Sequence, residues 1–137
     1  MGLILDSSII ITAERRKETP NQLLRHITLL AGDQELAISS IGLMEIVHAI
    51  YRAPSISLRL PREAFIHDLL AYVEVLPYTK TTAWLAGKID GEQRSKGITI
   101  PSLDLLIGVT ALEIGYAVVT TNLRHFNLIP GLHVIAL

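Results

Sequence analysis

Apolar positions along this chain fall into two spacings. Short unbroken runs occur at Leu3-Ile4-Leu5, Leu36-Ala37-Ile38, Val75-Leu76 and Ala117-Val118-Val119. Such runs, too short for helices and bounded by polar or turn-forming residues, read as strands buried on both faces. They predict strands at about 3–5, Leu36–Ser39, Val75–Leu76 and Ala117–Thr120, with a last one at His133–Ile135. Between them the apolar residues recur at three and four positions. Leu43, Ile46, Val47 and Ile50 share one face of a helix over Gly42–Arg52. Phe65, Ile66, Leu69, Leu70 and Val73 share a face of another, opened by Pro61.

Capping signals bound the remaining helices. One covers Ser8–Arg16. The next has Thr19 as N-cap and Pro20 in first position and ends near Gly32; Thr79 caps another to about Lys96, closed by Gly97. Ser102 as N-cap starts a helix to Ile114, ended by Gly115. Strands alternating with helices predict an α/β fold with a mostly parallel sheet and helices on both faces.

At 137 residues the chain has room for one domain over 1–137, large enough for its own core. Half the residues are hydrophobic, which excludes disorder. The longest stretch without Asp, Glu, Lys or Arg is the thirteen residues His125–Leu137, broken by Pro130 and Gly131 and too short for a membrane span of about 20 residues. No secretory signal is visible. The absence of cysteine excludes disulfides and thiolate metal sites and suits a cytoplasmic protein. A net charge of −1 means that nucleic acid would have to be held by a local basic patch.

Three carboxylates change the picture. Asp6 closes the first strand, Glu45 lies near the start of the helix after the second, and Asp104 sits in the first turn of the helix opened by Ser102. Parallel strands present their C-terminal ends along one edge, where α/β sheets bind ligands. Three acids gathered there repel one another, and a hard cation such as Mg²⁺ relieves the repulsion while keeping several waters. Each acid also has a plainer reading: Asp6 as an N-cap, Glu45 as a solvated charge, Asp104 as a partner of its helix dipole. The apolar surroundings of Asp6 and Asp104 weigh against that reading, since unpaired charge is costly there. Asn122 follows the strand Ala117–Thr120 and could orient a water or a metal-bound carboxylate, or simply cap a short helix.

Four stretches in order carry a resemblance: Leu3-Ile4-Leu5-Asp6-Ser7-Ser8; Ile38-Ser39-Ser40-Ile41-Gly42-Leu43-Met44-Glu45-Ile46; Asp104-Leu105-Leu106-Ile107-Gly108-Val109-Thr110-Ala111; and Val119-Thr120-Thr121-Asn122-Leu123-Arg124-His125-Phe126 with Ile129-Pro130-Gly131-Leu132. Together they resemble the PIN domain, and in particular the VapC-type ribonuclease toxins of toxin–antitoxin pairs. The resemblance implies a three-layer α/β/α domain that cleaves structured or single-stranded RNA with Mg²⁺, or Mn²⁺ in its place. It implies Asp6, Glu45 and Asp104 as metal-site acids, with Asn122 where the wider family often has a fourth acid. Gly42 stands where a hydroxyl residue often precedes the glutamate. A cognate antitoxin and a homodimer are implied as partners. The early helices 8–16 and 19–31, with 41–51, are the expected groove for an antitoxin helix.

Other chemistries find no support. Glu45 and His48 have a di-iron spacing, but only one such pair is present and the chain has strands. The remaining histidines, His125 among them, share no metal-ligand spacing. Phosphate-binding glycine loops, a serine elbow and a cysteine nucleophile are all absent. A second acid beside Asp6, as phospho-acceptor domains have, is replaced by Ser7 and Ser8. The competing reading is an inert PIN-like binding or scaffolding module, which Asn122 in place of an acid would suit. Arg124 is the basic residue best placed for an RNA phosphate. Phe65, Trp84 and Phe126 are expected in the core, leaving few aromatic platforms and predicting recognition by RNA shape.

Overall fold

The computed structural model describes residues 1–137. Five strands, β1 (Gly2–Leu5), β2 (Glu35–Ser39), β3 (Glu74–Leu76), β4 (Ala117–Thr120) and β5 (Val134–Ala136), form one sheet in the order β3-β2-β1-β4-β5. Every pairing is parallel. Seven helices connect them: α1 (Ser7–Arg15), α2 (Pro20–Ala31), α3 (Ser40–Tyr51), α4 (Ile56–Leu69), α5 (Lys80–Ser95), α6 (Ser102–Ile114) and α7 (Leu123–Phe126). The expected α/β/α architecture is the observed one.

The unbroken apolar runs are explained by the two cores. Side chains alternate across a strand, so Leu3 and Leu5 enter one cluster while Ile4 enters the other. Ala117 and Val119 join the first, Val118 the second. The first core lies under α1, α2, α4 and the inner face of α3; the second lies under α5, α6 and α7. Both faces of the strands are therefore dry, and alternation of polar and apolar residues would be penalised.

Several boundaries differ from the sequence reading. α4 begins at Ile56 under a Ser55 cap, and Pro61 lies inside it instead of opening it. Proline removes the N–H that would bond the carbonyl of Ser57, but Ser57 is exposed and water can serve that carbonyl. Ser102 is already helical and Pro101 occupies the N-cap position of α6, with no side-chain cap. α3 starts at Ser40, ahead of Gly42, because Ser39 accepts the Gly42 N–H. The Thr19 and Thr79 caps form as expected, and each cap's backbone N–H donates back to the side chain three residues on, Gln22 and Thr82. Trp84 is not in the core: its side of α5 faces solvent and it is 79% exposed. Its neighbours Thr82, Ala86, Ile89 and Gln93 are the buried positions of that helix.

The strand order places the site. The chain leaves β1 toward β2 and β3 on one side, then returns to β4 and β5 on the other. The reversal lies between β1 and β4, which pair with Leu5 opposite Val119. In parallel sheets, a ligand crevice forms at the C-terminal strand ends beside such a reversal.

Candidate active site

Asp6 immediately follows β1 at that reversal and is only 2% exposed. Its N–H donates to the Val119 carbonyl at 3.0 Å, which extends the β1–β4 ladder by one residue. The carboxylate Oδ2 accepts from Ser8 Oγ at 2.6 Å and from Thr120 Oγ1 at 2.8 Å. Although Asp6 sits at the N-cap position of α1, its side chain makes no cap bond. The plain N-cap reading therefore fails. Two hydroxyls, and no lysine or arginine, hold the nearly buried carboxylate.

Glu45 comes from α3, whose start is fixed by the Ser39 cap. Its Oε1 accepts from Ser7 Oγ at 2.9 Å. Burial pushes its pKa up, the Ser7 bond opposes this, and the charges of Asp6 and Asp104 push it further up. Asp104, in the first turn of α6, accepts from His125 Nδ1 at 2.8 Å. Its pKa is also raised, first by burial and then by Asp6, against the bond and charge of His125. Asp6 acts on both other acids and Asp104 acts on Glu45, so the three predicted acids are electrostatic neighbours.

They are not arranged as a ready-made ligand cage. No three acidic, histidine or cysteine side chains come close enough together to share one ion. Each carboxylate is turned toward its own partner: Ser8 and Thr120 for Asp6, Ser7 for Glu45, His125 for Asp104. The donor set nevertheless fits a hard divalent cation. All three groups are oxygen donors, two have raised affinities for a proton, and neither lysine nor arginine pairs with any of them.

Thr120, Ser7 and His125 are functional neighbours that sequence spacing does not expose. Asn122 sits beside the acids through its backbone: its N–H donates to Thr120 Oγ1 at 2.9 Å. It occupies the N-cap position of α7 without a side-chain cap bond, and its side chain is exposed. Arg124 is exposed on α7, and His48 lies on the wall of a separate groove.

A sequence profile of the PIN domain family matches residues 3–131. The chain belongs to the PIN domain family. Among curated relatives, Ribonuclease VapC1 of Rickettsia felis is 32% identical over 135 residues, covering 98% of this chain and 96% of the relative. The tRNA(fMet)-specific endonuclease VapC of Salmonella typhimurium is 30% identical, with 98% and 96% covered. In structure, this PIN domain superposes on the VapBC2 complex of Rickettsia felis bound to a DNA fragment from its promoter. The TM-score is 0.86 at 25% identity, covering all of this chain and 99% of that one. The DNA-bound VapBC of Salmonella typhimurium gives 0.82 at 27%, covering 99% and 98%.

A groove of about 450 Å³ in this PIN domain lies between α1, α3 and α4. Ile10, Ile46, Ile50 and Phe65 are among its apolar residues; Arg15, Arg52 and the Arg62–Glu14 pair, 3.5 Å apart, are among its charged ones. The sequence reading expected α1, α2 and α3. α2 does not line this groove. No helix of the chain is long and apolar enough to cross a membrane.

Proposed function

We propose that residues 1–137 act as one PIN domain, the endoribonuclease toxin of a toxin–antitoxin pair, cleaving phosphodiester bonds of structured RNA in the cytoplasm. One observation carries this reading: three carboxylates gather at the switch point of the sheet with neither lysine nor arginine paired to any of them. PIN-domain ribonucleases use a divalent metal ion; here we assign Mg²⁺, with Mn²⁺ as substitute, to Asp6, Glu45 and Asp104. Bound there, the ion would neutralise charge on a phosphate and lower the pKa of a coordinated water.

The chain's own groups supply the rest. Ser8 and Thr120 fix one oxygen of Asp6. Ser7 fixes one oxygen of Glu45. Asn122 contributes a neutral amide where an acid would add a fourth charge, so it can hydrogen-bond a water without adding to the repulsion. Arg124, exposed two residues beyond, is placed to hold an RNA phosphate.

The groove between α1, α3 and α4 would take the antitoxin. An amphipathic helix with an apolar face fits its floor, and acidic flanks fit Arg15 and Arg52. The likeness to the DNA-bound VapBC2 and VapBC structures supports a protein partner here. Self-association as a dimer is part of the same proposal.

RNA cleavage by purified protein tests the function, with Mg²⁺, with chelator, and with Asp6→Asn and Asp104→Asn. The initiator tRNA is the first substrate to try, because a relative at 30% identity is named for it. Cleavage that needs Mg²⁺ and vanishes in both variants is the expected result. Equal cleavage by either variant would remove that residue from the site. No cleavage of any structured RNA, with no Mg²⁺ binding, would leave the inert binding module as the better reading.

A further inference from the structure

We propose that His125 is the positioning residue for Asp104, holding one carboxylate oxygen by a hydrogen bond from Nδ1 so that the other is presented to the divalent ion. The inference rests on the metal-dependent reading above.

The geometry that sets this contact is built into α6 and α7. Asp104 and Gly108 are one turn apart on α6 and share a face. At Gly108 a Cβ would run into the Ile129 side chain and press on Phe126 at 3.3 Å and Leu132 at 3.2 Å. The missing side chain thus lets the α7 segment lie directly on α6, with Phe126 completely buried as the anchor. His125 is the residue next to that anchor, and it reaches the first turn of α6, where Asp104 is. A short helix that docks one turn along from the acid therefore delivers an imidazole to it.

The chemistry assigns the proton. A carboxylate only accepts, so the nitrogen at 2.8 Å must be Nδ1–H, which leaves Nε2 without a part in the contact. Asp104 is 16% exposed while the His125 side chain is 43% exposed, so the imidazole covers the acid from the solvent side. No other side chain hydrogen-bonds Asp104. Without His125 the carboxylate would turn freely in a helix's first turn beside two like charges. Groups of this kind around metal ligands typically change metal affinity about 10–100-fold when removed.

Three substitutions separate the hydrogen bond from the ring. The amide N–H of His125→Asn falls near Nδ1, that of His125→Gln near Nε2, and His125→Ala has neither. Mn²⁺ affinity is measured by calorimetry on the purified protein, with metal-free thermal melting alongside. Expected is a loss of about tenfold or more for Ala and Gln, and of less than about threefold for Asn, with similar melting for all. Unchanged Mn²⁺ affinity in Ala and Gln, with lowered melting temperatures, would make His125 a structural residue only and overturn the proposal. Equal loss in all three would assign the effect to the imidazole itself and also overturn it. Absence of Mn²⁺ binding by the wild-type protein would defeat the metal-dependent reading, and this inference with it.

Discussion

Thr120 and Asp6, 114 positions apart in the chain, are joined by a buried hydrogen bond of 2.8 Å. Thr120 Oγ1 also accepts the N–H of Asn122, so one hydroxyl ties the end of β4 to both the acid and the following turn. Thr120→Val keeps the shape and removes both bonds. It should cost about 1–3 kcal/mol, the usual range when buried polar groups lose a partner. Thr120→Ser should recover most of the loss. Urea denaturation at neutral pH measures both, and a valine variant as stable as the parent would show that Ser8 alone satisfies Asp6.

Glu45 stabilises nothing by being ionised. Its pKa is raised, so the folded state binds more protons than the unfolded chain between the unfolded value and the raised folded one. Stability is then fullest below the unfolded pKa and declines as pH rises through the folded value. Glu45→Gln keeps an acceptor for Ser7 and removes the charge. At pH 7 without metal it should melt slightly higher than the parent, by roughly half a kcal/mol after solvent screening, and the difference should fade toward pH 4. A lower melting temperature at pH 7 would mean that Glu45 has a stabilising partner not seen here.

Divalent metal should reverse that order. Mg²⁺ or Mn²⁺ at 100 times its dissociation constant adds about 2.7 kcal/mol to a protein that binds it only when folded. The parent should therefore gain melting temperature with Mg²⁺ and lose the gain with chelator, whereas Asp6→Asn and Glu45→Gln should gain little. A metal-induced shift of equal size in Asp6→Asn would place the ion elsewhere.

Trp84, 79% exposed, makes a different kind of test. Trp84→Ala should change stability by no more than about 0.5 kcal/mol, as at an ordinary surface position. Its emission, the chain's single tryptophan signal, should be quenched by a soluble quencher in the native protein nearly as well as in urea. A loss of several kcal/mol would return Trp84 to a packed role.

Much of the fold was readable because both cores leave a direct imprint: strands dry on two faces must be apolar throughout, and caps such as Thr19 and Thr79 act within three residues. Asp6 and Asp104 stood out in the sequence because one follows a strand and the other lies in a helix's first turn, whereas Glu45 lies in the second turn of α3. Asp104 and His125 were not linked in advance, since 21 positions separate them and only the docking of Phe126 against Gly108 brings them together. Trp84 was misplaced because size and hydrophobicity do not say which way a helix faces; the buried positions Thr82 and Gln93 are polar. Pro61 was read as a start because its tolerance inside α4 depends on water reaching the carbonyl one turn earlier, which local sequence does not state.

The pairing of β1 with β4 also sets when the site can form during synthesis. Asp6 is synthesised 114 residues ahead of Thr120, and at about 5–20 residues per second the interval is about 6–23 s. Throughout that time the nascent chain carries an acid with no β4 beside it and no Asp104 until late. A fragment released before residue 117 cannot pair β1 with β4 and should not cleave RNA, so the order of the strands delays assembly of the site until β4 has been made.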